Sequence, residues 1–134
     1  MIDWKQKLFE IYTPEVGSIW RAPNNIWDNS FANNKQGTDY HPSIIGKVSD
    51  CKMIFNIVPG TSKDYKRGSC VYKVVLNSSD PNCPISYFLI GLWMTYSKSD
   101  LAKLKRGWNG IDNLDEQQLR DFKMQIKFCK GINV

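Results

Sequence analysis

Apolar positions change period along the chain, and the changes mark its elements. Trp4, Leu8 and Ile11 fall at spacings of four and three on one face, with Lys5, Lys7 and Glu10 mostly elsewhere, which predicts a short opening helix. Pro14 ends it. Five runs enriched in β-branched and aromatic residues follow, at 18–22, 43–48, 53–58, 70–76 and 87–96, and are expected to be strands. Near the C-terminus the period returns to that of a helix. Leu119, Phe122, Ile126 and Cys129 recur at three, four and three residues, so one apolar stripe faces the rest of the fold. Asp115 suits the N-cap, Gln118 completes a capping box, and Leu114 with Leu119 occupies the positions of a hydrophobic staple. Lys123, Lys127 and Lys130 lie toward the negative end of that helix dipole.

The segments between these runs are polar. Residues 23–40 form a long stretch with five Asn and one Gly, and a loop of that length in a compact domain usually serves function. Pro59-Gly60, the run 63–68 and Asp80-Pro81-Asn82 mark further turns. Five short strands followed by a capped helix predict a mainly β fold with added α, a barrel or sandwich. A chain of 134 residues matches one ordinary domain, so 1–134 is read as a single unit with one site.

Charge narrows the partners. Eighteen basic against thirteen acidic residues leave +5, which favours an anionic partner. Lys63, Lys66 and Arg67 form one basic cluster, and Lys103, Lys105 and Arg106 a second; a solvated surface is the plain alternative for each. The longest apolar stretch, 87–93, is far short of the roughly 18 residues of a membrane span. Residues 1–10 carry Asp3, Lys5, Lys7 and Glu10 and so lack the apolar core of a signal peptide, and a cytoplasmic protein is expected. Cys51, Cys70, Cys83 and Cys129 are too scattered for a zinc set; four reduced, mostly buried thiols are expected, with two disulfides the alternative for a secreted chain.

The order of the pieces resembles the MazF/PemK family of toxin ribonucleases. Gly17-Ser18-Ile19-Trp20 opens the first strand, and a polar loop leads into His41-Pro42-Ser43-Ile44-Ile45. Val58-Pro59-Gly60-Thr61-Ser62 ends the third, and a capped helix starts at Leu114-Asp115-Glu116. The likeness spans residues 17–129, and the spacing of the motifs carries it more than any one of them. It implies a small SH3-like, PemK-like barrel with a C-terminal helix, a homodimer, and an antitoxin protein as partner. It also implies cleavage of single-stranded RNA by attack of the 2′-hydroxyl on the adjacent phosphate, with no metal or other cofactor. The family's catalytic residues are an Arg in an Arg-Pro pair at the start of the second strand and a hydroxyl residue in the loop after the third. Here the first position is His41, and Thr61 with Ser62 as neighbour matches the second.

His41 departs from the pattern. Its two protonation states are both accessible near neutral pH, so it can move a proton or donate to a phosphate oxygen, but it lacks the fixed charge and bidentate fork of Arg. His41, Thr61 and Ser62 are therefore the candidate catalytic set, and Arg21, Lys63, Lys66 and Arg67 the candidate RNA contacts. Against these stand ordinary roles: a polar strand end for His41, turn bonding for Thr61 and Ser62, and a solvated strand face for Arg21. Trp27 and Phe31 in the polar loop are candidates for stacking on bases, covering the barrel or binding the antitoxin, whereas Phe55, Tyr87, Phe88 and Trp93 read as core. A Cys51–His41 nucleophile pair has no supporting motif. A non-catalytic module of the same fold, binding RNA or protein, is the alternative function.

Overall fold

The computed structural model describes residues 14–23, 40–63 and 70–134. The expected opening helix and the interior of the long polar loop lie outside them. The described strands are β1 (Ile19–Pro23), β2 (Tyr40–Val48), β3 (Ile54–Thr61), β4 (Val71–Val74), β5 (Ser86–Leu89), β6 (Met94–Ser97) and β7 (Lys105–Arg106). Among the described residues two α-helices accompany them, α1 (Lys98–Leu101) and α2 (Glu116–Lys130).

All pairings are antiparallel, in the order β4-β5-β3-β2-β1-β7, with β6 paired to β3 off this path. Among the described residues the sheet is not closed. Its centre is β3, whose first half pairs with β6 and whose end, Gly60 and Thr61, pairs with β5. A bulge at Gly46 breaks the β2–β3 register between Ile45 and Lys47 and bends the strand. A Cβ at Gly46 would lie 3.1 Å from Val58 and 3.2 Å from the Trp93 ring, so any larger residue there requires those side chains to shift by a few tenths of an ångström.

Strand alternation divides the core between the two faces of this sheet. Trp20, Ala22, Ile45, Phe55, Ile57, Leu89 and Tyr96 share one face, with Leu101 of α1 packed among them. Ile19, Ile44, Val58, Tyr72 and Phe88 point the other way and meet Phe122 and Ile126 of α2. The helix is built as its sequence implies: Asp115 and Gln118 form a reciprocal capping box, and Gly131 ends the helix in the left-handed conformation. Leu119 and Cys129 flank the buried pair at the edges of the stripe.

Three features differ from expectation. The run at 87–96 is two strands, separated by a 3-10 turn at Ile90–Leu92, because β5 and β6 take different lengths of β3. β7 was not anticipated, since two exposed charged residues carry no strand signal. All four cysteines are free thiols as expected, but none is buried: Cys51 is exposed and the others are half-buried. Among the described residues no helix is long and apolar enough to cross a membrane.

Candidate nucleic-acid interface

The β1–β2 register sets Arg21 opposite Pro42, Ala22 opposite His41 and Pro23 opposite Tyr40. Alternation then separates two sets of side chains. His41 shares a face with the core residue Ala22 and is only 7% exposed. Arg21 and Tyr40 take the opposite face, where the guanidinium sits 4.4 Å from the Tyr40 ring centroid and 5.7 Å from that of Trp108. Two aromatic neighbours restrain a long, exposed cation without neutralising it.

Trp108 is placed by a hairpin that follows β7. Trp108 and Ile111 exchange backbone hydrogen bonds at 2.9 and 3.0 Å around Asn109 and Gly110. Both central residues have positive φ, 52° and 80°, as a two-residue I′ hairpin turn demands. The base of the hairpin is fastened to β1: Arg106 pairs with Trp20, Lys105 with Arg21, and Gly107 N–H donates to the Ile19 carbonyl at 2.7 Å. Arg106 is committed to this scaffold. Its Nε donates to the Asp112 carbonyl at 3.1 Å, its Nη2 donates to Asn113 Oδ1, and its guanidinium lies 5.2 Å from the Trp20 ring centroid. Partial burial lowers its pKa from the ordinary value, while Asp112 and Glu15 act in the opposite direction.

Two recesses meet at this hairpin. One, of about 360 Å³, is lined by Tyr40, His41, Pro42, Ser62, Ser86 and Trp108. The other, of about 390 Å³, is lined by Arg21, Lys105, Arg106, Trp108 and Asp112. Trp108 and Asn109 border both, so the recesses adjoin at the hairpin, and the pair is the candidate groove: cations and an aromatic line one recess, His41 and a hydroxyl the other. Chemically, the groove offers positive charge for phosphates and aromatic surface for unpaired bases.

The candidate residues fall into three groups. The β2–β3 pairing ends at Ser43–Pro59, two residues short of His41 and Thr61, and strand alternation puts both side chains on the face of Ala22. Thr61 is 2% exposed, and its Oγ1 accepts the Lys63 N–H at 3.2 Å, which is turn bonding. Ser62 is exposed and shares the smaller recess with His41, and exposed Lys63 adjoins it in sequence. Arg21 belongs to the other recess and the other sheet face. Lys66, Arg67, Trp27 and Phe31 lie outside the described residues. Cys51 sits in the β2–β3 turn, bonded to Ser49, at the far end of β2 from His41.

The sequence reading missed Tyr40, Trp108 and Asp112. For Trp108 a signal existed, because an Asn-Gly pair between apolar residues marks a tight hairpin that must present its flanks. Neither a scan against protein-family models nor a search of curated proteins finds a match to this chain.

Proposed function

We propose that this chain grips single-stranded RNA along the groove from His41 to Arg21 and cleaves it as a MazF/PemK-like endoribonuclease toxin with an SH3-like fold. The observation that carries the reading is Arg21 held beside Tyr40 and Trp108 in a groove that also contains Lys105, His41 and Ser62. Fixed cations beside exposed rings are the means by which unpaired strands are held.

In the proposed reaction the substrate 2′-oxygen attacks the adjacent phosphorus and the bond to the 5′-oxygen breaks. The 2′-hydroxyl proton leaves to a base, and the departing 5′-oxygen gains one, giving a 2′,3′-cyclic phosphate and a 5′-hydroxyl. His41 is the group able to move these protons, and Ser62 the exposed hydroxyl able to donate to a phosphoryl oxygen. Thr61 is then a loop-shaping residue through its bond to Lys63. The resemblance adds a homodimer and an antitoxin protein to the proposal.

One observation favours the second reading, an RNA-binding module without cleavage: the His41 and Thr61 side chains are both buried. Incubating purified protein with long RNA in chelator decides between them. Discrete fragments ending in cyclic phosphate, lost in His41→Ala but not in Thr61→Val, support the nuclease as drawn here. Intact RNA with measurable binding supports the module.

A further inference from the structure

One side chain of the cationic recess has the wrong sign for a phosphate site. Asp112 lines the recess with Arg21, Lys105, Arg106 and Trp108. Its backbone is fixed, because its carbonyl accepts the Ile19 N–H at 2.8 Å and Arg106 Nε at 3.1 Å. Asp112 is exposed, and its carboxylate lies beside Gly107, where a Cβ would come within 2.6 Å of Oδ1. Beyond the field it exerts on Arg106, no hydrogen bond or ion pair among the described residues takes up that carboxylate.

In a groove that draws in phosphates, a carboxylate weakens binding to every strand equally unless a ligand brings donors to it. We propose that Asp112 reads a guanine base stacked against Trp108, while Arg21 and Lys105 hold the neighbouring phosphates. The choice of base follows from edge chemistry. Guanine presents N1–H and the N2 amino group side by side, matching both oxygens of one carboxylate. Adenine and cytosine each set a single amino group beside a ring acceptor, and uracil sets its one N–H between two carbonyls that repel the carboxylate. Single strands expose these edges, so a side chain can reach them. The assignment rests on the RNA-binding reading and adds to it a base preference, which phosphate contacts alone do not provide.

The test uses short oligoadenylate RNAs with one central position varied among guanosine, adenosine, cytidine, uridine and inosine, which is guanosine without its N2 amino group. Filter binding or fluorescence anisotropy at fixed salt should show guanosine bound about tenfold or more tighter than the other natural bases, with inosine between. Asp112→Asn should erase the difference between guanosine and inosine while leaving the salt dependence of binding unchanged. The inosine arm needs only the parent protein, so it stands even if Asp112→Asn fails to fold. Binding of all five RNAs with equal affinity would overturn the assignment and leave the RNA-binding reading intact. Absence of binding to any of them would overturn both.

Discussion

The face of the sheet under α2 and the groove around Trp108 are built by opposite means. Under α2, one continuous stripe supplies Phe122 and Ile126, both fully buried, and local capping fixes where the helix begins. Tyr72 joins this layer with its ring 5.1 Å from Phe122 and its hydroxyl donating to the Gln118 carbonyl. The groove draws Arg21 from β1, Tyr40 and His41 from β2, Ser62 from the end of β3, and Trp108 and Asp112 from the hairpin. Its cations are exposed or spent on fastening the hairpin. One region is a store of stability, and the other is a surface held in place by it.

The largest break in this comparison should come from Phe122→Ala. Removing a fully buried ring from the α2 layer is expected to cost about 3–5 kcal/mol, a large part of what a domain of this size has to lose. Chemical denaturation should show it as a lower midpoint, and a shift below about 1 kcal/mol would mean that α2 is not the main cover of that face.

The same layer should make the fold alkali-sensitive. Burial pushes the Tyr72 phenol above its ordinary value, helped by Asp121 and Asp115, and burial with a hydrogen bond to Cys70 pushes the Cys129 thiol up to about 12. A raised folded-state pKa means that the folded state holds protons the unfolded chain would release. The contribution is whole below the unfolded values, 9.0 for the thiol and 10.0 for the phenol, and is lost as pH rises toward the folded ones. Unfolding free energy should therefore fall from pH 9 upward, and Tyr72→Phe should flatten that decline even though it also removes the bond to Gln118. An unchanged slope would show that the phenol titrates alike in both states.

The contrast also explains what the sequence could disclose. The N-cap and its partner are three positions apart, and Leu119, Phe122, Ile126 and Cys129 lie within one helix, so their period is readable without knowing the fold. The strands were legible as apolar runs, but their partners were not: nothing within 87–96 except Gly91 hints that one length pairs with Gly60 and Thr61 and the next with Ile54–Ile57. The groove was the least legible part, since Arg21 and Lys105 become neighbours only through a two-residue strand of charged residues. His41 and Thr61 were singled out by resemblance, and both fall on the Ala22 face of the sheet, yet their burial follows from that face, which no local pattern states.

Asp115→Ala tests how much of α2 rests on its cap. The Asp115 carboxylate accepts the Gln118 N–H at 2.8 Å, and Gln118 Oε1 accepts the Asp115 N–H at 2.9 Å. Losing the first bond should cost about 0.5–2 kcal/mol, less than the ring of Phe122 because water can still reach the exposed end of the helix. Amide exchange should quicken in the first turn of α2 and hardly at all in β3. Equal quickening in both would make the cap part of the global unfolding unit.

The smallest effect on stability should be that of Arg21→Ala, although its effect on RNA binding should be large. Arg21 is exposed, makes no ion pair among the described residues, and sets its guanidinium beside the Tyr40 and Trp108 rings. Its backbone pairing with Pro42 and Lys105 survives the substitution. Cation–π contacts at an exposed site contribute about 0.5–1 kcal/mol, and truncation offsets part of this by releasing side-chain entropy, so the midpoint should move by about 0.5 kcal/mol or less. Binding responds differently, because one fixed charge fewer on the groove releases fewer counterions from the strand and leaves Trp108 without its neighbour. The slope of log affinity against log salt should flatten by about 0.7 for a single strand. A variant that loses stability and keeps its salt slope would reverse the comparison, making Arg21 a fastener of the hairpin like Arg106 and leaving Lys105 as the cation that meets the phosphates.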